Sequence, residues 1–227
     1  MRRDRHRWTL IGLILISGTG AAPPREDVAE ESFVSLFDGK SLDGWRQFGG
    51  KPEAWGVEGG HLVSLGHGGG WIGTSRPYAD FVLRFSFLLS PESNSGIYLR
   101  APADTSHISR TGMEIQLLDE THPRYKDIQP WQRTGAIYHV AAPEPGHLKP
   151  TGQWNAMEIT ARGPDVEIKL NGATIVHDRL DMHPPKIAAE HTGLRRKEGL
   201  IGLQSHNGRV EFRDIRVMDL ASLKAPE

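Results

Sequence analysis

Two short runs carry side chains suited to a polyhydroxylated ligand: Asn94-Ser95-Gly96-Ile97-Tyr98-Leu99-Arg100 and Gly112-Met113-Glu114-Ile115-Gln116-Leu117-Leu118-Asp119. In both, aliphatic and polar residues alternate at the period of two that a half-buried strand imposes. If Ile97, Leu99, Ile115 and Leu117 face the core, then Tyr98, Arg100, Glu114 and Gln116 share the opposite sheet face. A phenol, a guanidinium, a carboxylate and an amide on one surface can both donate to and accept from sugar hydroxyls. Asp119 has the wrong parity, and one extra residue at Leu117-Leu118 would bring it onto that surface. The alternative is a solvated outer face held by Arg–carboxylate pairs.

The strands that must position these groups dominate the rest of the chain. Phe81 to Leu89 alternates, with Phe81, Leu83, Phe85, Phe87 and Leu89 on one face against Arg84 and Ser86. Further strand signals cover Ala136 to Val140, Trp154 to Ala161, Val166 to Leu170, Thr174 to His177, Leu200 to His206 and Val210 to Val217. Asn171-Gly172 is a hairpin signal, because both residues tolerate the positive φ of a type I′ turn. No helix longer than a turn or two is predicted. Many short strands punctuated by Gly and Pro imply an all-β antiparallel two-sheet sandwich or barrel. The long irregular stretches, Ala101 to Arg110, Glu120 to Arg133 and Leu180 to Lys197, are candidates to line a groove.

Composition narrows the partners. The chain has 227 residues, a net charge of -1 and no cysteine. Nucleic acid and anionic membrane surfaces both call for a basic excess that is absent. The N-terminus carries Arg2, Arg3, Arg5 and Arg7, then Trp8 to Ile16, then small residues up to Ala22. That order is a secretory signal over residues 1–22, with an apolar core shorter than the roughly 20 residues a membrane span needs. No transmembrane span is expected in the mature chain. Residues 23–32 read as a Pro- and acid-rich linker, 33–220 as one domain, and 221–227 as a tail. Export without cysteine leaves the fold to its apolar core.

Other constellations are weaker. Gly66-His67-Gly68-Gly69-Gly70-Trp71 lacks the Lys-Ser/Thr ending of a phosphate loop and reads as a close backbone approach, with Trp71 a candidate sugar platform. Trp45 and Trp131 are further candidate platforms. The histidines show no zinc spacing. His206 shares the parity of Gln204, opposite Ile201 and Leu203, and titrates in a useful range.

Taken in order, Leu36 to Trp45, Tyr78 to Arg84, Asn94 to Arg100, Gly112 to Asp119, Thr134 to Tyr138, Gln153 to Asn155 and Gly199 to His206 resemble the exported 3-keto-disaccharide hydrolase domain family. The resemblance implies a concanavalin A-like jelly roll with carbohydrate on its concave face, and adds Tyr138 and Gln204 to the substrate-binding set. Glu114-Ile-Gln116-Leu-Leu-Asp119 is similar to the Glu-x-Asp-x-x-Glu spacing of laminarinase-type glucanases, with Gln in place of the central Asp. A retaining mechanism with two carboxylates about 5–5.5 Å apart is thereby put in doubt. The resemblance implies another route, in which a ketone at carbon 3 acidifies the carbon 2 hydrogen, elimination expels the aglycone, and water adds to the enone. Glu114 or His206 would be base or acid, Arg100 and Gln116 would bind hydroxyls or the enolate, and Asp119 would orient. Glu114 and Asp119 would also suit a divalent metal ion as cofactor. The rival readings are a non-catalytic carbohydrate-binding module and a structural component of a larger surface complex.

Overall fold

The structure, a computed structural model, describes residues 30–222. The signal over residues 1–22 and the first part of the linker lie outside the described residues, as does most of the tail. Strands in chain order are β1 (Val34–Ser35), β2 (Trp45–Phe48), β3 (Trp55–Glu58), β4 (His61–Ser64), β5 (Trp71–Thr74), β6 (Phe81–Leu89) and β7 (Asn94–Ala101). They continue as β8 (Met113–Leu118), β9 (Trp154–Arg162), β10 (Asp165–Leu170), β11 (Ala173–Arg179), β12 (Leu200–Gln204) and β13 (Val210–Asp219). The helices α1 (Ile108–Thr111) and α2 (Pro185–Glu190) are short.

All the pairings are antiparallel, in two sheets. One runs β11-β10-β9-β6-β13-β4-β3, with β1 added on β13; the other runs β2-β5-β12-β7-β8. The inner faces supply one continuous apolar core. Phe85, Phe87, Ile159, Ile168 and Phe212 come from the larger sheet, and Ile72, Ile97, Ile115, Leu117 and Leu203 from the smaller. The alternation along Phe81 to Leu89 is borne out, since Arg84, Ser86 and Leu88 are the half-buried residues of β6. Asn171 (φ 51°) and Gly172 (φ 89°) make the β10–β11 turn, the left-handed pair that the hairpin requires.

Several expectations give way. Ala136 to Val140 is no full strand: Ile137 bridges Ile115 and then Ala141, so the segment turns back after one pairing step. Strands β1 to β5, each of two to four residues with weak alternation, lie outside the predicted strands. Within the predicted linker, Glu30–Ser32 forms a turn of 3-10 helix, and Glu30 pairs with Arg84 and Arg216 on the larger sheet.

Candidate active site on the outer face of the smaller sheet

Because Ile97, Ile115 and Leu203 point into the core, their neighbours Tyr98, Glu114, Gln116 and Gln204 point away from it. Register then sets the order. Tyr98 pairs with Glu114 across β7–β8, Gly96 with Gln116, and Gly202 with Tyr98 across β12–β7. The Gln204 amide donates to the Tyr98 hydroxyl at 2.7 Å. The segment after β8 returns alongside it: the Gly135 N–H donates to Gln116 O, the Gln116 N–H to Ala136 O, and the Tyr138 N–H to Glu114 O at 2.9 Å. Tyr138 therefore stands opposite Glu114 on the side away from Tyr98.

Glycines make room for these side chains. A Cβ at Gly96 would lie 2.5 Å from Glu114 Oε1, so the carboxyl lies across bare backbone. Gly73 and Gly202 do the same for Trp71, whose ring a Cβ at either position would meet at 2.5 or 2.6 Å. Trp71 stacks on Phe48 at 4.2 Å, meets Tyr98 edge-on at 5.6 Å and donates through Nε1 to Asp104 O. With 3% of its surface exposed, Trp71 braces Tyr98 and is no open stacking platform. Trp45 is likewise in the core, its Nε1 bonded to Leu36 O.

The electrostatics follow from burial. Glu114 is 6% exposed, and desolvation pushes its pKa up to about 8, partly offset by the Gln204 amide. Burial and the neighbouring Glu114 charge raise the Tyr98 phenol well above its usual value, so it stays a proton donor. Among the described residues, Gln116 Oε1 and Gln204 Oε1 are buried acceptors without a partner. Such orphans are uncommon in a folded chain and are suited to ligand hydroxyls.

Three expected site residues are placed elsewhere or spent. Arg100 is not on the row with Tyr98, because φ of 48° and a register shift at Leu200/Gly202 turn it out of the alternation. Its side chain, 2% exposed, donates to Ala79 O at 2.9 Å, Gly163 O at 2.7 Å and Arg196 O at 3.2 Å, and meets Asp80 at 3.4 Å. No bulge occurs at Leu117-Leu118, where the β7–β8 ladder is regular through Leu118. Asp119 accepts instead from Glu92 N, Thr121 Oγ1 and Thr151 Oγ1. Burial raises its pKa, but those hydrogen bonds outweigh it and hold the carboxyl below its usual range. His206 is exposed, two residues beyond Gln204 and past the end of β12.

The donor set does not fit the divalent ion expected at Glu114 and Asp119. Three donors already engage both oxygens of Asp119, while Glu114 favours its neutral form. Among the described residues, no three or more His, Asp or Glu gather to hold an ion.

Sequence reasoning missed the corner beyond Tyr138. His139, at φ 63°, stacks on Trp131 at 3.7 Å, touches Tyr138 edge-on at 4.7 Å and lies 5.8 Å from His191. His191 is buried, with Nδ1 3.2 Å from Ser109 O. Burial, with His191 and Arg110, lowers the His139 pKa against a smaller pull from Glu190. The only sequence signal was the aromatic and His content of the Trp131 to His139 loop.

Residues 32–218 match the family described as the 3-keto-alpha-glucoside-1,2-lyase-like domain. A Bacteroides thetaiotaomicron protein named 3-keto-disaccharide hydrolase is 28% identical over 231 residues, covering 84% of this chain and 79% of its own. A candidate glycosyl hydrolase from Parabacteroides distasonis superposes with a TM-score of 0.71 at 26% identity, over 85% of this chain and 97% of its own. The carbohydrate-binding module CBM66 from Bacillus subtilis, at 14% identity and a TM-score of 0.51, covers 77% of this chain and 95% of its own and shares the fold.

Proposed function

Since this chain belongs to the 3-keto-alpha-glucoside-1,2-lyase-like domain family, we propose that it is an exported enzyme that cleaves 3-keto-glycosides, with Glu114 as its proton-transfer group. The observation that carries the reading is a carboxyl buried on a polar sheet face, with its pKa raised to about 8, beside a phenol that keeps its proton. A base matched to the working pH is what abstraction of a moderately acidic C–H requires.

The chemistry balances on these groups. Ionised Glu114 takes the carbon 2 proton, and the electron pair moves towards carbon 3, whose oxygen becomes an enolate. The Tyr98 O–H, whose oxygen already accepts from Gln204, donates to that oxygen as charge develops there. The enolate expels the glycosidic oxygen from carbon 1, that oxygen takes a proton from a water molecule, and a 1,2-enone and a hydroxide are left. That hydroxide adds at carbon 1, and Glu114 returns its proton to carbon 2, which restores the ionised carboxylate. Gln116 and Gln204 accept from ring hydroxyls through their unpartnered oxygens. Tyr138 flanks the ring opposite Tyr98. Desolvation makes the Glu114 carboxylate a stronger base, while its neutral form after proton transfer suits the buried setting.

The test is release of aglycone from a chemically oxidised 3-keto-glucoside by the purified enzyme. The parent glucoside is the control, and a carbon 2 deuterated substrate reports the abstraction step. Release from the ketone alone, slowed by deuterium, is expected. Equal release from both sugars would mean ordinary hydrolysis, and binding without release would mean a carbohydrate-binding module. For export, the mature N-terminus recovered outside the cytoplasm should lie near Ala22 or Pro23, and an intact Met1 there would refute it.

A further inference from the structure

A cavity of about 690 Å³, whose lining includes neither Glu114 nor Tyr98, lies between the β9–β10 turn and the segment that follows β11. Its apolar lining comes from Pro164, Leu180, Ala188 and Leu194, and its size is within the range of small-molecule sites. Arg100, Arg195, Arg196 and Lys197 also line it.

The charge balance of this cavity is uneven. Its carboxylates are engaged: Asp80 with Arg100 and the Gly163 N–H, Asp181 with Arg179. The Arg100 guanidinium is nine-tenths or more buried, and among the described residues one carboxylate, at 3.4 Å, is its sole anionic partner. Its four hydrogen bonds leave one of its five N–H groups over. Arg196 spends Nε on Arg100 O. Arg195 and Lys197 are exposed at the cavity and form no ion pair among the described residues. Apolar walls beside uncompensated cations favour a ligand with an apolar body and one negative charge, and disfavour a cation of the same shape.

We propose that this cavity is a binding site for a small amphipathic carboxylate, separate from the glycoside-cleaving face. The apolar body lies against Leu180, Ala188 and Leu194, and the carboxylate sits between Arg195 and Lys197. Part of that attraction is screened, so affinity falls as salt rises.

The test is calorimetric titration of the full chain with octanoate, 1-octanol and octylammonium, alongside backbone amide NMR shifts. Octanoate is expected to bind at submillimolar concentration, at least tenfold tighter than octanol, with octylammonium weakest and shifts centred on Gly163 and Leu194. The double variant Arg195→Glu with Lys197→Glu, at exposed positions, should lose tenfold or more for octanoate and little for octanol. Ala188→Trp, filling the cavity, should abolish binding of both while leaving turnover of the 3-keto-glucoside unchanged. Equal affinity for octanoate and octanol, undiminished octanoate binding in the charge-reversed variant, shifts centred on Glu114, or no binding at all would each overturn the proposal. The calorimetric and NMR readouts do not depend on the reaction assigned to Glu114, so failure of that reading leaves them intact.

Discussion

Gly96 and Glu114 interlock across β7 and β8: the glycine has no side chain, and the carboxyl of its neighbour fills the space a Cβ would take, 2.5 Å from Oε1 and 2.8 Å from Cγ. Gly96 is not among the positive-φ residues, so the requirement is steric and concerns one side chain. Gly96→Ala should shift the whole Glu114 side chain, since Cγ as well as the carboxyl is in the way. A displacement of about 1 Å can cost about 100-fold in rate, against about 1–3 kcal/mol of stability for the overpacking. Steady-state kinetics with thermal melting checks it; wild-type kcat in Gly96→Ala would separate the carboxyl position from the chemistry.

Glu114→Gln keeps shape and most hydrogen bonding but removes proton exchange, so it should lower kcat by at least about 100-fold while sugar binding persists. In the wild type, a base with pKa about 8 makes kcat/KM climb with pH and level off above that value.

Stability moves the opposite way. The folded-state pKa of Glu114 is raised above the ordinary glutamate value of 4.5, so the fold holds this proton more tightly than the unfolded chain does. The stability from that proton is present at low pH and is lost as pH rises from about 4.5 to about 8, a contribution of about 5 kcal/mol. Glu114→Gln should therefore melt higher than wild type at pH 8.5 and nearly level with it at pH 4.5. An equal melting difference at both values would mean that Glu114 does not titrate on folding.

Tyr98→Phe tests the enolate donor. The ring keeps its packing against Trp71, while the Gln204 amide loses its acceptor, at a cost of about 1 kcal/mol. Loss of one donor to a developing oxyanion lowers kcat by about 100-fold or more with little change in KM. A change confined to KM would make Tyr98 a hydroxyl-binding group.

The site is legible in the sequence where period-two alternation continues without interruption. Tyr98, Glu114 and Gln116 were placed on one face by parity, and the register through Leu118 preserves it. Arg100 was misplaced because parity assumes extended backbone, and φ of 48° breaks it. Nothing local announces that conformation; the carbonyls of Ala79, Gly163 and Arg196 stabilise it from 21, 63 and 96 residues away. The bulge inferred for Asp119 failed for a related reason, since Thr121 and Thr151 hold that carboxylate in a loop knot that alternation cannot reveal. His139 escaped notice because its partners Trp131 and His191 meet it only through tertiary turns.

The placement of Arg100 reverses what parity alone would predict for its replacement. On a sugar-binding face, Arg100→Lys would injure function and spare the fold. In the structure the guanidinium ties β7 to the Ala79–Asp80 turn, the β9–β10 turn and the segment at Arg196. An ammonium has three donors at one point and cannot reach Ala79 O, Gly163 O, Arg196 O and Asp80 together. Buried carbonyls left without donors cost about 1–3 kcal/mol each, so Arg100→Lys should lose about 3–5 kcal/mol, as broken buried pairs do. At about 2–4 °C per kcal/mol for a domain of this size, the melting temperature should fall by about 10 °C. Below that transition, kcat on the 3-keto-glucoside should stay within about threefold of wild type, because Tyr98, Glu114 and Gln204 keep their strands and register. An unchanged melting temperature together with lost turnover would return Arg100 to the substrate and contradict the contacts that bury it.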